Sequence, residues 1–236
     1  MTPAQLLAAM DASWPAASMA LVGPWTIRDG QDGGKRVSAA TASAPWAVSD
    51  ISLAETAMRD LGQAPLFMIG EGDLALDATL DRAGYAQIDP VIAYSAPAAR
   101  VCETPPLMMT TFVHWPPMAI AEQLWAEGGI TPARVAVMHR ATGPKTAILG
   151  RSGDRASAAA FVAISGHLAM LHALEVTPAL RRQGSAHNIL RAAAKWALDH
   201  GAETLGLVVT AANVGARSLY TSLGMQAVGK YHYRQK

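Results

Sequence analysis

The segment that most constrains this chain is a basic, glycine-containing loop between an apolar strand and a long helix. The strand predicted over His167–Val176 is broken by Pro178, and the loop Arg181–Ala186 leads into a helix predicted over Ser185–His200. A helix that begins after such a loop directs several backbone N–H groups, and the positive end of its dipole, to one point. The glycine and alanine of the loop leave the main chain open to phosphate oxygens, and its two arginines add positive charge. The pattern predicts a pyrophosphate site, although an ordinary solvated loop has a similar composition.

A second motif lies on the helix predicted over Val214–Leu223. It reads Asn213-x-x-Ala216-x-x-Leu219-Tyr220-x-x-Leu223-Gly224-Met225. Together with Val176-x-Pro178 and Arg181-x-x-Gly184-x-Ala186, it resembles the paired motifs of the GNAT superfamily of N-acetyltransferases almost position for position. The resemblance covers Pro117–Lys236 and is sharpest over Leu174–Met225. The loop departs from the family pattern at Ala186, where glycine is commonest, and at Gln183, where a basic residue is frequent.

The resemblance implies an α/β fold in which a mixed, mostly antiparallel sheet is flanked by helices. It also implies acetyl-CoA as the acyl donor and a primary amine as the acceptor, with direct transfer in a ternary complex. In this family the pantetheine arm lies along the strand at Val176, whose N–H polarises the acetyl carbonyl, and Tyr220 donates a proton to the departing thiolate. The residues that the resemblance assigns to donor binding are Val176, Arg181, Arg182, Gln183, Gly184, Ser185, Ala186, Asn213 and Tyr220.

The general base is less sharply indicated than the donor site. Glu175 is our first candidate, because a carboxylate at an apolar strand end can have a raised pKa. His172 is the second candidate, and it lies three residues upstream. Strict strand alternation places these two side chains on opposite faces, so only one of them can point into the acceptor cleft.

Two alternatives to an acetyltransferase are compatible with the same motifs. One is a non-catalytic acyl-CoA-binding or sensory module that keeps the loop but lacks an open acceptor pocket. The other is an enzyme of the same fold that uses a different acyl donor. An intact Tyr220 favours an enzyme, because a pure binding module has no need of a proton donor. The acceptor stays open between small-molecule and peptide amines.

A weak internal repeat divides the chain into two halves. A shift of 140 residues places Leu80 on Tyr220 and the helix stop Gly84 on Gly224. We therefore predict two tandem halves: a degenerate GNAT-like domain over residues 1–102 and a catalytic domain over residues 103–236. The first half lacks the phosphate loop and the tyrosine, so we expect it to shape the acceptor pocket rather than to bind coenzyme A. Its first strands are predicted as a hairpin of Trp25–Asp29 and Arg36–Ala42.

Composition sets the remaining limits. Hydrophobic residues form 51% of the 236 and charged residues 16%, which excludes general disorder. A formal charge of +1 argues against a nucleic-acid partner. The single cysteine, Cys102, excludes an intrachain disulfide, and the histidine spacing indicates no metal site. With no signal sequence and no membrane-length apolar run, we expect a cytoplasmic protein without a membrane partner. Composition says nothing about oligomeric state.

Overall fold

A computed structural model describes residues 2–236 of the protein. The elements of the N-terminal half are α1 (Pro3–Ser13), β1 (Ser18–Val22), β2 (Trp25–Asp29), β3 (Thr41–Ala42), α2 (Ile51–Asp60), β4 (Leu66–Gly70), α3 (Leu74–Arg82), β5 (Ala86–Pro97) and α4 (Ala98–Val101). Those of the C-terminal half are β6 (Thr111–His114), α5 (Ala119–Glu127), α6 (Pro132–Arg140), β7 (Lys145–Ser152), β8 (Arg155–Ser165), β9 (Leu168–Val176), α7 (Ser185–Asp199), β10 (Thr204–Thr210), α8 (Val214–Ser222) and β11 (Gln226–Gln235).

The strands form a large sheet of eight and a small sheet of three. The large sheet has the order β4-β11-β5-β10-β9-β8-β7-β6, and the small one the order β1-β2-β3. Only β9 and β10 pair in parallel within the large sheet, and α7 provides the crossover between them. A parallel bridge from Ala40 to Phe67 links the small sheet to β4. The predicted class, a mixed and mostly antiparallel sheet flanked by helices, is confirmed.

The last strand of each half pairs with a strand of the other half. Strand β5 pairs with β10, and β11 pairs with β4, while β5 and β11 pair with each other at the centre. The 140-residue shift converts two β10–β5 pairs into two observed β4–β11 pairs. It converts Gly206↔Ser95 into Leu66↔Gln235, and Thr210↔Val91 into Gly70↔Tyr231. Val91 pairs with its own counterpart Tyr231. The pairing therefore has an approximate two-fold axis between β5 and β11.

The apolar face of helix α7 packs against the large sheet and forms much of the main core. Its apolar face was predicted from periodicity, and the side chains on that face are buried: Ile189, Leu190, Ala193, Ala194, Trp196 and Ala197. A separate core under α2 and α3 contains Trp25, Phe67 and Leu80. A third, between α1, α5, α6 and β8, contains Trp14, Trp125 and Phe161. Burial of these apolar faces against the sheets stabilises both layers.

The sequence interpretation was wrong in part of the N-terminal half. The strand predicted over Arg36–Ala42 is a 3₁₀ turn at Lys35–Val37 followed by the two-residue strand β3. Strand β2 instead pairs along its full length with β1, which the sequence analysis did not predict. Helix α1 was also missed. Its buried residues Leu6, Ala9, Met10 and Ser13 share one face, but alanines also occupy the exposed positions 8 and 12, so periodicity does not separate the two faces.

Candidate functional site

The site lies where the two parallel strands separate. Strands β9 and β10 pair from Leu168↔Thr204 to Leu171↔Leu207 and then diverge. A cavity of about 510 Å³ opens between their carboxyl ends. Its walls come from both halves, because β9, β10 and α6 line one side and the segment Gly33–Arg36 lines another. A cleft at the carboxyl ends of parallel strands is a common ligand position in α/β proteins.

A bulge in β9 turns two titratable side chains into this cavity. The register between β8 and β9 shifts between Phe161↔His172 and Ala159↔Glu175. Ala173 has a φ of 52°, and its carbonyl accepts a hydrogen bond of 2.9 Å from the buried indole Nε1 of Trp125. Both His172 and Glu175 consequently line the cavity. The expectation that only one of them can face the cleft is wrong, because an extra residue reverses the alternation between them.

The main chain at Val176 faces the open edge of β9. The N–H of Thr177 donates to Ser157 O on β8 at 2.9 Å. Because successive residues of a strand direct their N–H and C=O groups to opposite edges, those of Val176 point away from β8. The carbonyl oxygen of Val176 accepts a hydrogen bond from Arg181 Nε at 3.2 Å, on the side where the phosphate loop lies.

The basic loop is held in a conformation that few residue types adopt. Arg182 has a φ of 64° and Gly184 a φ of 85°, both in the left-handed region. The first bond of helix α7 runs from Asn188 N to Gly184 O, so the N–H groups of the residues between them precede the helical ladder. These amides and the two exposed arginines form a concentrated positive end at the helix start.

Two loop side chains are turned away from the loop surface. The hydroxyl of Ser185 is buried and shares a 2.8 Å hydrogen bond with Ser157 Oγ. Gln183 Oε1 accepts a hydrogen bond of 2.6 Å from Ser152 Oγ in the β7–β8 turn. These two side chains therefore anchor the loop. Residues 183 and 185 can contact a donor through their main-chain N–H groups. The methyl group of Ala186 leaves the first helical turn unobstructed.

Glu175 has the environment of a general base. Its carboxylate is half-buried, and burial raises its pKa above the ordinary value, while Arg181 and Arg134 oppose that rise. The end of α5 fixes the side chain, because a Cβ on Gly128 would lie 2.7 Å from Glu175 Cγ. The carboxylate is thus held in a tight niche at the cavity wall.

His172 is a poor candidate for the base. Its Nδ1 accepts a 3.0 Å hydrogen bond from Arg36 Nη1, so the lone pair needed for proton uptake is occupied. Its Nε2 therefore carries the proton and donates to Ser13 Oγ at 2.8 Å. Burial and the nearby charges of Arg36 and Arg134 hold the pKa of His172 well below its usual range. The imidazole stays neutral and ties β9 to the end of α1.

Tyr220 lines the same cavity from helix α8. The residue is almost fully buried, and burial together with the negative charge of Glu175 raises its pKa to about 12. Its ring lies 5.7 Å, centroid to centroid, from that of Tyr94 on the exchanged strand β5. Asn213 begins the helix, where its Oδ1 accepts the N–H of Ala216 at 3.1 Å. Asn213 thus caps helix α8, and Tyr220 is kept protonated at all ordinary pH values.

The sequence analysis missed three residues at the cavity. Trp14, Arg36 and Arg134 line it, and both guanidinium groups lie 5.9 Å from the centre of the Trp14 ring. None of them belongs to a motif. Arg36 and Trp14 come from the N-terminal half, and only the packing of that half on β9 brings them to the site.

Glu175, Tyr220 and Asn213 line the cavity between the splayed strands, whereas Val176 and the loop residues Arg181–Ala186 do not. Residues 120–225 match the family model described as the acetyltransferase (GNAT) family. An uncharacterized N-acetyltransferase of Bacillus subtilis, YobR, is 25% identical over 95% of both chains. A GCN5-related N-acetyltransferase from Kribbella flavida superposes with a TM-score of 0.72 at 16% identity, covering 99% of this chain and 95% of its own.

A conserved protein of unknown function from Staphylococcus epidermidis has the same fold, with a TM-score of 0.71 at 12% identity and coverage of 95% and 96%. The chain is therefore similar to GNAT-family N-acetyltransferases, and the match to the family model lies within residues 120–225. Over residues 2–236, the helices are all too short or too polar to cross a bilayer.

Proposed function

We propose that the protein transfers an acetyl group from acetyl-CoA to a primary amine by direct attack in a ternary complex. The observation that carries this proposal is the open cavity at the split between β9 and β10, which Glu175 and Tyr220 both line. A base and an acid that face one cavity are what direct aminolysis of a thioester requires. A binding module of the same fold needs neither an accessible acceptor side nor a proton donor, so the cavity favours the enzyme.

Donor binding is assigned to the loop and to the open strand edge. The pyrophosphate meets the N–H groups of Gly184, Ser185 and Ala186 and the side chains of Arg181 and Arg182, with Gln183 anchoring the loop. The pantetheine arm pairs with the free edge of β9 near Val176, in the way that a further strand would. Asn213 supports this region by fixing the first turn of α8.

The chemical steps follow from the protonation states of the two side chains. Glu175 accepts a proton from the acceptor ammonium, and the freed amine nitrogen forms a bond to the acetyl carbonyl carbon. The N–H of Val176 donates to the carbonyl oxygen as negative charge develops on it. When the C–S bond breaks, the Tyr220 hydroxyl donates a hydrogen bond to the departing sulfur, and the second proton of the amine nitrogen passes through this hydroxyl to the sulfur. The tyrosine is thereby restored, and Glu175 releases its proton to solvent. Transfer is complete without a covalent enzyme intermediate.

We assign the N-terminal half, residues 1–102, a structural role beside a catalytic half of residues 103–236. The parallel bridge between Ala40 and Phe67 takes the place of the β9–β10 pairing, so the split between β3 and β4 corresponds to the donor cleft. A smaller cavity of about 220 Å³ remains there, and helix α1 lines it with Leu6, Leu7 and Met10. The position of Tyr220 is taken by buried Leu80. These features support a half that shapes the acceptor side and binds no coenzyme A. We place the reaction in the cytoplasm, where acetyl-CoA is available.

The experiment that tests donor binding is calorimetric titration of the purified protein with acetyl-CoA. We expect micromolar affinity for the wild type and a loss of at least tenfold in an Arg181→Ala/Gly184→Asp double variant, since two phosphate contacts are removed or repelled. Arg82→Ala, on exposed α3, is the matched control for a lost arginine and should bind as wild type does. Absence of wild-type binding would refute the donor assignment.

A further inference from the structure

Two arginine side chains, one from each half of the chain, line the cavity close to each other. Arg36 comes from the 3₁₀ turn between β2 and β3, and Arg134 from the first turns of α6. Both guanidinium groups lie against one ring, that of Trp14, with their central carbons 5.9 Å from its centroid. Burial and then the charge of Arg36 lower the pKa of Arg134, which is consistent with two neighbouring cations.

These two charges are not neutralised by the protein itself. Among residues 2–236, no carboxylate lies within 4.0 Å of either guanidinium group. The Nε atoms of both side chains are buried without a hydrogen-bond partner. Asp89, which also lines the cavity, is paired with Lys35 at 2.6 Å. A buried donor without a protein partner needs an acceptor from water, an ion or a ligand, and these two donors belong to side chains that line the cavity.

The remaining polar neighbours do not supply a negative charge there. His172 accepts a hydrogen bond from Arg36 and is neutral, because burial and the two arginines hold its pKa far below the usual range. Tyr220 and Tyr233, whose pKa values burial raises, line the cavity as uncharged phenols, and Tyr231 lies beside them. Glu175 is the one carboxylate whose charge Arg134 feels, and it is needed as the base for the incoming ammonium.

We infer that the amine acceptor also carries a carboxylate, as amino acids do, and that Arg36 and Arg134 bind this group while the amine lies at Glu175. The inference rests on the proposed acetyl transfer and names the substrate class for it. A planar guanidinium fork matches a carboxylate with two parallel hydrogen bonds, and the Trp14 ring holds the two forks in place before substrate binds. The two arginines and Glu175 then complement a molecule with one positive and one negative group.

The net charge of the chain gives no hint of this preference. A formal charge of +1 is spread over 236 residues, whereas the cavity concentrates two unpaired cations in one wall. Low-dielectric walls focus such a local field far more strongly than the overall charge indicates.

The test compares a pool of free L-amino acids with the matching pool of amino acid amides, using thiol release from acetyl-CoA as the readout. The amides retain the amine and the side chain but lack the negative charge. We expect the acids to have a kcat/KM at least tenfold higher. Arg134→Gln and Arg36→Gln should each lower kcat/KM for the acids by roughly 10- to 100-fold, mainly through KM, and should lower kcat/KM for the amides by no more than roughly threefold at a pH at which Glu175 is ionised in wild type and variant alike. Arg134→Lys should restore part of the loss.

Arg140→Gln is the matched control. Arg140 lies on the same helix as Arg134 and contacts Gln31 rather than the cavity, so its loss should not separate acids from amides. Equal or faster acetylation of the amides would overturn the inference, as would arginine variants that slow both pools alike. In each of these cases acetyl-CoA binding measured by calorimetry remains, so the proposed function stands.

A second measurement decides the matter when neither pool is turned over. The protein saturated with coenzyme A is mixed with a pool of N-acetyl amino acids, and binding is read by saturation-transfer NMR. Binding that is lost in Arg134→Gln supports the carboxylate site. No binding to the wild type at millimolar concentration overturns it, while failure to bind coenzyme A itself is a failure of the proposed function.

Discussion

Replacing Tyr220 by phenylalanine tests the proton-donor role with minimal change in packing. The ring is almost fully buried beside Tyr94, so phenylalanine retains its apolar contacts. Only the hydroxyl that faces the cavity is removed. The Tyr94→Phe variant removes a hydroxyl from the neighbouring ring, which is not part of the cavity wall, and is therefore the matched control.

The expected size of the effect follows from the pKa of Tyr220, which is about 12. A thiol ordinarily has a pKa of about 8.5, so full transfer of the tyrosine proton to a free thiolate is uphill. The hydroxyl therefore acts mainly as a hydrogen-bond donor to sulfur while the C–S bond breaks. Removing a donor of this kind lowers kcat by roughly 100- to 1000-fold, or about 3–4 kcal/mol in the barrier.

The assay follows thiol release at saturating acetyl-CoA with an amine that the acceptor screen identifies. Tyr220→Phe should lose kcat by the factor given above, while the dissociation constant for acetyl-CoA changes less than twofold. Because the phenol stays protonated, the wild-type kcat should show no decline attributable to Tyr220 up to about pH 10. Wild-type turnover in Tyr220→Phe, or an equal loss in Tyr94→Phe, would contradict the assigned role.

Four further predictions follow from features of the cleft and of the strand exchange. Because burial raises the pKa of Glu175, the rate should rise with pH through that pKa, and Glu175→Gln should abolish this limb. The same raised pKa means that the fold loses stability as this carboxyl ionises, so Glu175→Gln should unfold at a higher urea concentration than wild type at pH 7. Trp125→Phe leaves the Ala173 carbonyl without its donor and should cost about 1–3 kcal/mol in urea unfolding; unchanged stability would show that the bulge does not depend on this bond. A fragment of residues 103–236 leaves β10 and β11 without β5 and should aggregate on size exclusion, whereas co-expression with residues 1–102 should give a soluble complex; a monomeric fragment that binds acetyl-CoA would contradict this.

The C-terminal elements were predictable because their signals are local. Helix α7 and its strand β9 were both predicted from periodicity and breakers, with boundaries within one residue of those in the structure. The loop at Arg181–Ala186 and the motif at Tyr220 were found because fixed spacings on a strand–loop–helix unit are visible in one sequence. Such signals need no knowledge of which strands pair over long distances.

The parts that could not be predicted depend on distant contacts. The bulge at Ala173 is stabilised by an indole from α5, 48 residues away in the sequence. Alternation alone therefore misassigned the faces of His172 and Glu175. Arg36 reaches the site only because its half packs on β9, and no motif marks it. The order of strands in the large sheet is likewise set by burial between the halves and not by any local pattern.

The exchange of β5 and β11 has a consequence for how the two clefts can differ. An assembly of two identical chains with this pairing must carry the same side chain on both sides of its axis. A single continuous chain is free of that symmetry requirement. Under the 140-residue shift, Leu80 corresponds to Tyr220, and Asp73 corresponds to Asn213. One cleft can thus carry Glu175 and Tyr220 while its counterpart is narrowed by α1 to a smaller cavity. Strand β5, which comes from the half with the narrowed cleft, supplies the Tyr94 ring that packs against Tyr220.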